Sequence, residues 1–137
     1  MRISTKFSVA VHALLLVATE KEPCTSALIA GSVNTNPVVI RRIIGLLQKA
    51  DLLSGIRGKS GYVLKKKADE ITLLDIYNAV AVNESMQLFS IHENPNIDCE
   101  IGASIQFLLE TIMDEAQSAM ETVLKAVTLE HLIRKIP

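Results

Sequence analysis

A mainly α-helical fold with one small β-hairpin is what the sequence predicts, from three observations. Apolar residues recur at the three-and-four spacing of a helix face in several separate segments. One pair of short β-type runs, Leu52–Arg57 and Tyr62–Lys65, surrounds the turn Gly58-Lys59-Ser60-Gly61. A late stripe from Ile101 to Val127 then keeps helical periodicity for some 26 residues, or roughly 39 Å at 1.5 Å per residue. The 137 residues suffice for one domain that buries a core without metal or disulfide staples.

The first helix comes from Phe7–Ala18, with Ser4 or Thr5 able to cap it. Behind Arg2 and Lys6 the run imitates a secretion signal. His12 interrupts it, the charged segment after it lacks a small-residue cleavage site, and twelve residues cannot span a bilayer. A buried helix in a cytoplasmic protein with no membrane partner is therefore expected. Pro23 breaks the chain, and Thr25 or Ser26 caps a short helix ending near Asn34, a residue type that tolerates a left-handed backbone. Asn36-Pro37 supplies an N-cap and a first helical residue for a helix over 36–51. Val39, Ile40, Ile43, Ile44, Leu46 and Leu47 form its apolar stripe, and Ala30 is small where the two helices approach. After the hairpin, Thr72 with Asp75 begins another helix that runs to Val80. Residues 83–100 lose periodicity around Asn94-Pro95-Asn96 and are expected as a loop. The expected division is 1–82 as one unit, 83–100 as loop, 101–127 as the long helix, and 128–137 as a short C-terminal helix packing back on the first unit.

Two helices joined by a tight turn, followed by a basic hairpin, are the order of a winged helix-turn-helix, in which one helix enters the major groove of DNA and the hairpin touches phosphates. The charge distribution agrees. Residues 1–67 hold eleven Lys/Arg against three acidic residues, +8, and the remainder holds three against twelve, −9. The overall net charge of −1 hides this asymmetry. On this reading Asn36, Val38, Arg41 and Arg42 face base edges, with Arg forking onto guanine and Asn onto adenine. Lys6, Thr35, Arg57, Lys59 and Lys65, with Lys66 and Lys67 beside it, would set register on phosphates. The late stripe is broader than one neighbour covers, which predicts a homodimer whose two copies grip a two-fold operator in double-stranded DNA. Sequence-specific regulation of transcription, as a repressor, is the expected activity.

Other chemistry finds little support. Cys24 and Cys99 are too few for a disulfide framework or a four-cysteine metal site, so no metal is expected. Gly58-Lys59-Ser60 lacks the earlier glycine of a phosphate-cradling loop, since Leu53 stands there. No catalytic residue suggests itself, and no enzyme is expected. Cys99 could act as a thiol sensor before the long helix, although Asp98 and Glu100 oppose thiolate formation. Cys24 reads as a small buried residue, His12 as a histidine of the core or a groove edge, and His131 receives no role. An alternative is a protein-interaction module in which the long helix binds a regulatory protein. A small-molecule effector is left open.

The segments MRISTKFSVAVHALLLVA, QKADLLSGIRGKSGY and EITLLDIYNAV make the chain similar, along nearly its whole length, to the Rrf-two family of bacterial winged-helix transcription regulators. The resemblance implies a dimer joined by the long helix and binding operator DNA, with most members repressing and some activating. Cluster-sensing members carry three cysteines ahead of the long helix. Cys99 alone stands in that stretch here, so no iron–sulfur cluster is expected. The hairpin turn is one residue shorter than the family's, and Val39-Ile40-Arg41-Arg42 replaces its common Tyr-Leu-Glu-Gln, which implies a different operator.

Overall fold

The computed structural model describes residues 2–82 and 89–137. In chain order its elements are α1 (Ile3–Thr19), α2 (Ser26–Val33), α3 (Pro37–Lys49), β1 (Leu53–Gly55), β2 (Tyr62–Leu64), a 3₁₀ turn (Ala68–Glu70), α4 (Leu73–Ala81), α5 (Glu100–Lys125) and α6 (Leu129–Ile133). Helix α1 starts earlier than Ser4 or Thr5 would cap it. Arg2 occupies the N-cap and its carbonyl accepts from the Thr5 and Lys6 amides, so both hydroxyl residues lie inside the first turn.

Local chemistry sets the middle of the chain. The Thr25 hydroxyl accepts from the Leu28 N–H at 3.1 Å and opens α2. Asn34 closes it in the left-handed conformation (φ 65°, ψ 49°), the backbone turn that brings α3 back across α2. The Asn36 carboxamide oxygen accepts from the Val39 N–H at 3.0 Å, with Pro37 filling the next position. Helix α3 then buries Ile40, Ile43, Ile44 and Leu47 on one face. Each such side chain contributes roughly 1.5–3 kcal/mol on leaving water. Their partners include Ala10, Ala13 and Leu14 of α1, Ile29 and Ala30 of α2, and Ile76 and Val80 of α4.

The hairpin is antiparallel, with Leu53 opposite Leu64, Ser54 opposite Val63 and Gly55 opposite Tyr62. Its strands are shorter than the sequence runs suggest. Ile56 and Arg57 join a six-residue connection, 56–61, where the Lys59 N–H donates to the Ile56 carbonyl at 3.2 Å. The Tyr62 N–H donates to the Cys24 carbonyl at 2.9 Å, which ties the hairpin to the linker before α2. Gly61 makes this junction possible. It has φ +111°, and a Cβ there would lie 2.7 Å from Pro23 Cβ.

The chain ends by returning to its middle. The Leu73 N–H donates to the Val127 carbonyl at 2.9 Å and the Leu129 N–H to the Ile71 carbonyl at 2.8 Å. This short antiparallel bridge pairs Thr72 with Thr128 and buries Leu129 in the core. Both junctions are capped alike: Thr72 with Asp75 opens α4, and Thr128 with the His131 imidazole opens α6. Helix α5 begins at Glu100 and ends at Lys125, a register one to two residues earlier than the apolar stripe marks. Of the loop expected over 83–100, residues 83–88 lie outside the described residues, and 89–99 form no helix or strand.

Gly61→Ala is expected to destabilise the fold by about 1–3 kcal/mol, because the added methyl meets Pro23 in a backbone conformation alanine resists. Chemical denaturation measures it. A midpoint unchanged from the parent would mean that the Pro23 contact relaxes freely.

Candidate nucleic-acid interface

Burial of one side of α3 dictates what the other side presents. At 100° per residue, Ile40, Ile43, Ile44 and Leu47 occupy one flank, leaving Val38, Arg41, Arg42, Gly45 and Lys49 on the opposite one, with Gln48 at its edge. Arg41 and Arg42 are both exposed, and Val38 keeps 48% of its surface in water. Thr35 is half-buried in the turn, and Asn36 is exposed at its end. These residues form one continuous surface: the end of the turn and the first two turns of α3.

Asn36 differs from the expectation in one respect. Its carboxamide oxygen already accepts from the Val39 amide, so the side chain holds the helix start in place and offers its NH₂ group outward. Adenine recognition through both amide atoms would compete with the cap.

The hairpin supplies a second cationic group. Arg57 and Lys59 are exposed in the 56–61 connection. Beside them a cleft of about 380 Å³ separates the start of α2 from the hairpin, lined by the hydroxyl-bearing Thr25, Ser26, Ser60 and Tyr62 as well as Lys59. Lys65 is engaged: its ammonium donates to Asp51 Oδ1 at 2.8 Å, and that bond together with the lysine charge lowers the Asp51 pKa. Both groups are largely exposed, so solvent screens the pair and it can open toward a phosphate. Lys6 stands on another element, half-buried in α1.

His12 bridges α1 to α2 through a 2.8 Å hydrogen bond between its Nε2 and the Ser32 hydroxyl, so it fixes the helix-turn-helix against the first helix. His131, unassigned from sequence, accepts from the Thr128 amide at 3.1 Å through Nδ1. A threonine three residues ahead of a side-chain acceptor was the available signal. Gln48 and Lys49 fall outside the apolar stripe, as the sequence predicts, and Gly45 was missed as a member of the outward face; counting helical angle around Arg41 and Arg42 would have found it.

The two cysteines lie in opposite environments. Cys24 is buried, and desolvation, with Glu20 adding to it, pushes its thiol up. Cys99 is exposed at the start of α5, where the Gly102 amide first and the Ile101 amide second lower its pKa, although neither completes a capping hydrogen bond. These amides outweigh a smaller desolvation that acts in the other direction, so the net shift is opposite to the one expected from the neighbouring Asp98 and Glu100.

Helices α2 and α3 joined by a left-handed asparagine, with a basic hairpin tied beside them, define a winged-helix DNA-binding transcription regulator. The comparisons with known proteins agree. The sequence profile of the Rrf2 family, described as iron-dependent transcriptional regulators, matches residues 3–135, and the chain belongs to that family. It is 42% identical over 134 residues to YwnA of Bacillus subtilis strain 168, described as an HTH-type transcriptional regulator, with 98% of each chain covered. A crystal structure of a protein described as DNA-binding superposes with a TM-score of 0.76 at 39% identity, over 93% of this chain and 98% of that one. The structure of CymR, the global cysteine regulator of B. subtilis, matches at a TM-score of 0.69 and 25% identity, over 100% of this chain and 99% of that one.

Alkylation by iodoacetamide at neutral pH is expected to modify Cys99 alone in the folded protein, with a pH midpoint below that of a free cysteine peptide. Mass mapping of the labelled peptide checks this. Equal labelling of Cys24, or a Cys99 midpoint at the free-peptide value, would contradict the assigned environments.

Proposed function

We propose that two copies of the chain bind a two-fold operator and repress transcription from it in the cytoplasm, with no catalytic step. The outward face of α3 supports this reading most directly: Arg41 and Arg42 project from a helix whose opposite side is locked into the core, so the face is presented rigidly. Arg41, Arg42 and Val38 read base edges in the major groove. Thr35, Arg57, Lys59 and Lys65, released from Asp51, hold phosphates, Lys6 contributes positive charge, and the hydroxyl-lined cleft beside the hairpin accommodates the sugar-phosphate strand.

The homodimer reading rests on α5. Ile101 (70% exposed), Leu108 (54%), Ile112 (61%) and Val123 (64%) form one apolar strip along the helix, with no residue of α5 buried within its own chain. An uncovered strip of this length is costly in water, and two-fold self-pairing buries it. The acidic residues alongside keep this half of the molecule off the phosphates.

The iron named in the family description finds no fitting donor set. Among the described residues, no group of three or more His, Cys, Asp or Glu side chains could hold a metal ion. Cys24 is buried in the core and Cys99 stands exposed elsewhere, so a cluster would have one accessible thiolate. The reading therefore includes no resident cluster. Cys99 supports a second, narrower reading as a thiol sensor, because its lowered pKa favours oxidation at the junction of loop and α5.

Replacing Arg41 and Arg42 together by alanine is expected to weaken operator binding by about 1–3 kcal/mol for each base edge the two arginines read, with helicity unchanged. A gel-shift titration on the protein's own promoter fragment, repeated across salt concentrations, tests this. Unaltered affinity and selectivity would remove α3 from readout. Leu108→Glu with Ile112→Glu is expected to yield monomers by light scattering and to reduce operator affinity, since each copy then holds only one half-site. A variant that stays dimeric would shift the interface away from α5.

A further inference from the structure

A groove at the base of the hairpin, alongside the C-terminal half of α3, lies apart from the first two turns of α3 and from the apolar strip of α5. It encloses about 290 Å³ between the C-terminal half of α3 and α4. Leu46, Ala50, Leu52, Ala79 and Val82 give it an apolar floor, and Lys49 and Lys66 stand on its rim. The volume is at the lower limit of small-molecule sites, too small for a partner helix.

The lining carries two ammonium groups against one carboxylate. Asp75, the acidic residue of the lining, has its carboxylate committed to the α4 start, where Oδ2 accepts from the Thr72 N–H at 3.0 Å. Asp51, on the adjoining turn, is ion-paired to Lys65 at 2.8 Å, and Lys66 acts on it only at longer range. Neither Lys49 nor Lys66 makes an ion pair among the described residues. Two unpaired ammonium groups therefore border an apolar trough. That combination is complementary to a molecule with an anionic head and a short hydrocarbon body. A DNA backbone would use the lysines but has no apolar portion for the floor.

We propose that this groove binds a small aliphatic carboxylate, with a chain of about four to eight carbons, and that occupancy alters operator affinity. Lys49 and Lys66 hold the carboxylate, and the hydrocarbon lies over Leu46, Ala50, Ala79 and Val82. The coupling has a mechanical basis. The site is built half from α3, whose outward face carries Arg41 and Arg42, and half from α4, which packs against both α3 and α5. A ligand that bridges them favours one spacing of the DNA-reading helix relative to the apolar strip of α5. The regulatory part rests on the operator-binding reading above. By linkage, whatever factor the ligand imposes on operator affinity, the operator must impose on ligand affinity.

Isothermal titration of the full-length protein with hexanoate tests the site, with hexylamine as the charge-reversed control and acetate as the control lacking hydrocarbon. Saturable hexanoate binding is expected, with neither control binding comparably. Lys49→Ala with Lys66→Ala should weaken hexanoate at least about tenfold, and Val82→Glu, which sets a carboxylate at the exposed end of the floor, should do the same while leaving ligand-free operator affinity unchanged. Saturating hexanoate should move operator affinity of the parent protein threefold or more, and operator DNA should move hexanoate affinity by the same factor. Absence of hexanoate binding, equal binding by hexylamine, or full binding by the double variant overturns the site. Full hexanoate binding by Val82→Glu overturns it too. Hexanoate that binds without moving operator affinity overturns the coupling. Failure of the untreated parent protein to bind operator would fall instead on the DNA-binding reading, and hexanoate titration would still decide the groove.

Discussion

The molecule depends on the burial of one face of α3. Ile40, Ile43, Ile44 and Leu47 have no alternative dry environment in so small a chain, and packing them against α1, α2 and α4 fixes the rotation of the helix about its own axis. A change of one residue in helical phase would carry Arg41 toward the core, where an unpaired guanidinium is prohibitive. The chemical identity of the outward face therefore follows from the inward one. The outward face of this helix is held rigidly because its orientation and the stability of the domain come from the same contacts.

Two backbone ties surround that core and do different work. Tyr62 bonded to the Cys24 carbonyl anchors the hairpin beside the start of α2, so the cations at Arg57 and Lys59 are held in register with the α3 face. The Thr72–Thr128 bridge joins the start of α4 to the start of α6, just beyond the end of α5, so the long helix is held both by its packing against α4 and at the junction that follows it. Such doubly attached elements move together. This is the structural basis for expecting that an event at α4 or α5 reaches α3.

The division of charge has a related logic. The amino-terminal half carries the cations that a polyanion needs, and one of its three acids, Asp51, is paired with Lys65. The carboxy-terminal half places acids beside the apolar strip of α5, where they favour water over phosphate. Without this separation, a chain of net charge −1 would present no field directed at DNA.

Much of this was legible in the residues themselves, where the controlling physics is local. Helical periodicity gave α3 and α5, Asn36-Pro37 gave a start, Asn34 gave the left-handed turn, and Thr72 with Asp75 gave the cap of α4, because each depends on atoms within four positions of one another. The family resemblance was carried separately, by the segments MRISTKFSVAVHALLLVA, QKADLLSGIRGKSGY and EITLLDIYNAV. What sequence could not supply were contacts across long separations. The first turn of α1 has no side-chain cap to read, the hairpin connection lengthens to six residues because Gly61 must meet Pro23, and the α4–α6 bridge joins residues more than fifty positions apart. Likewise Asn36 and Lys65 carry the right chemistry for DNA, yet only the folded chain shows one capping its own helix and the other paired with Asp51. Sequence determined which residues could form each element and which side could be buried. Tertiary structure decided which polar groups are already committed and which remain available, since that depends on neighbours brought close only by folding.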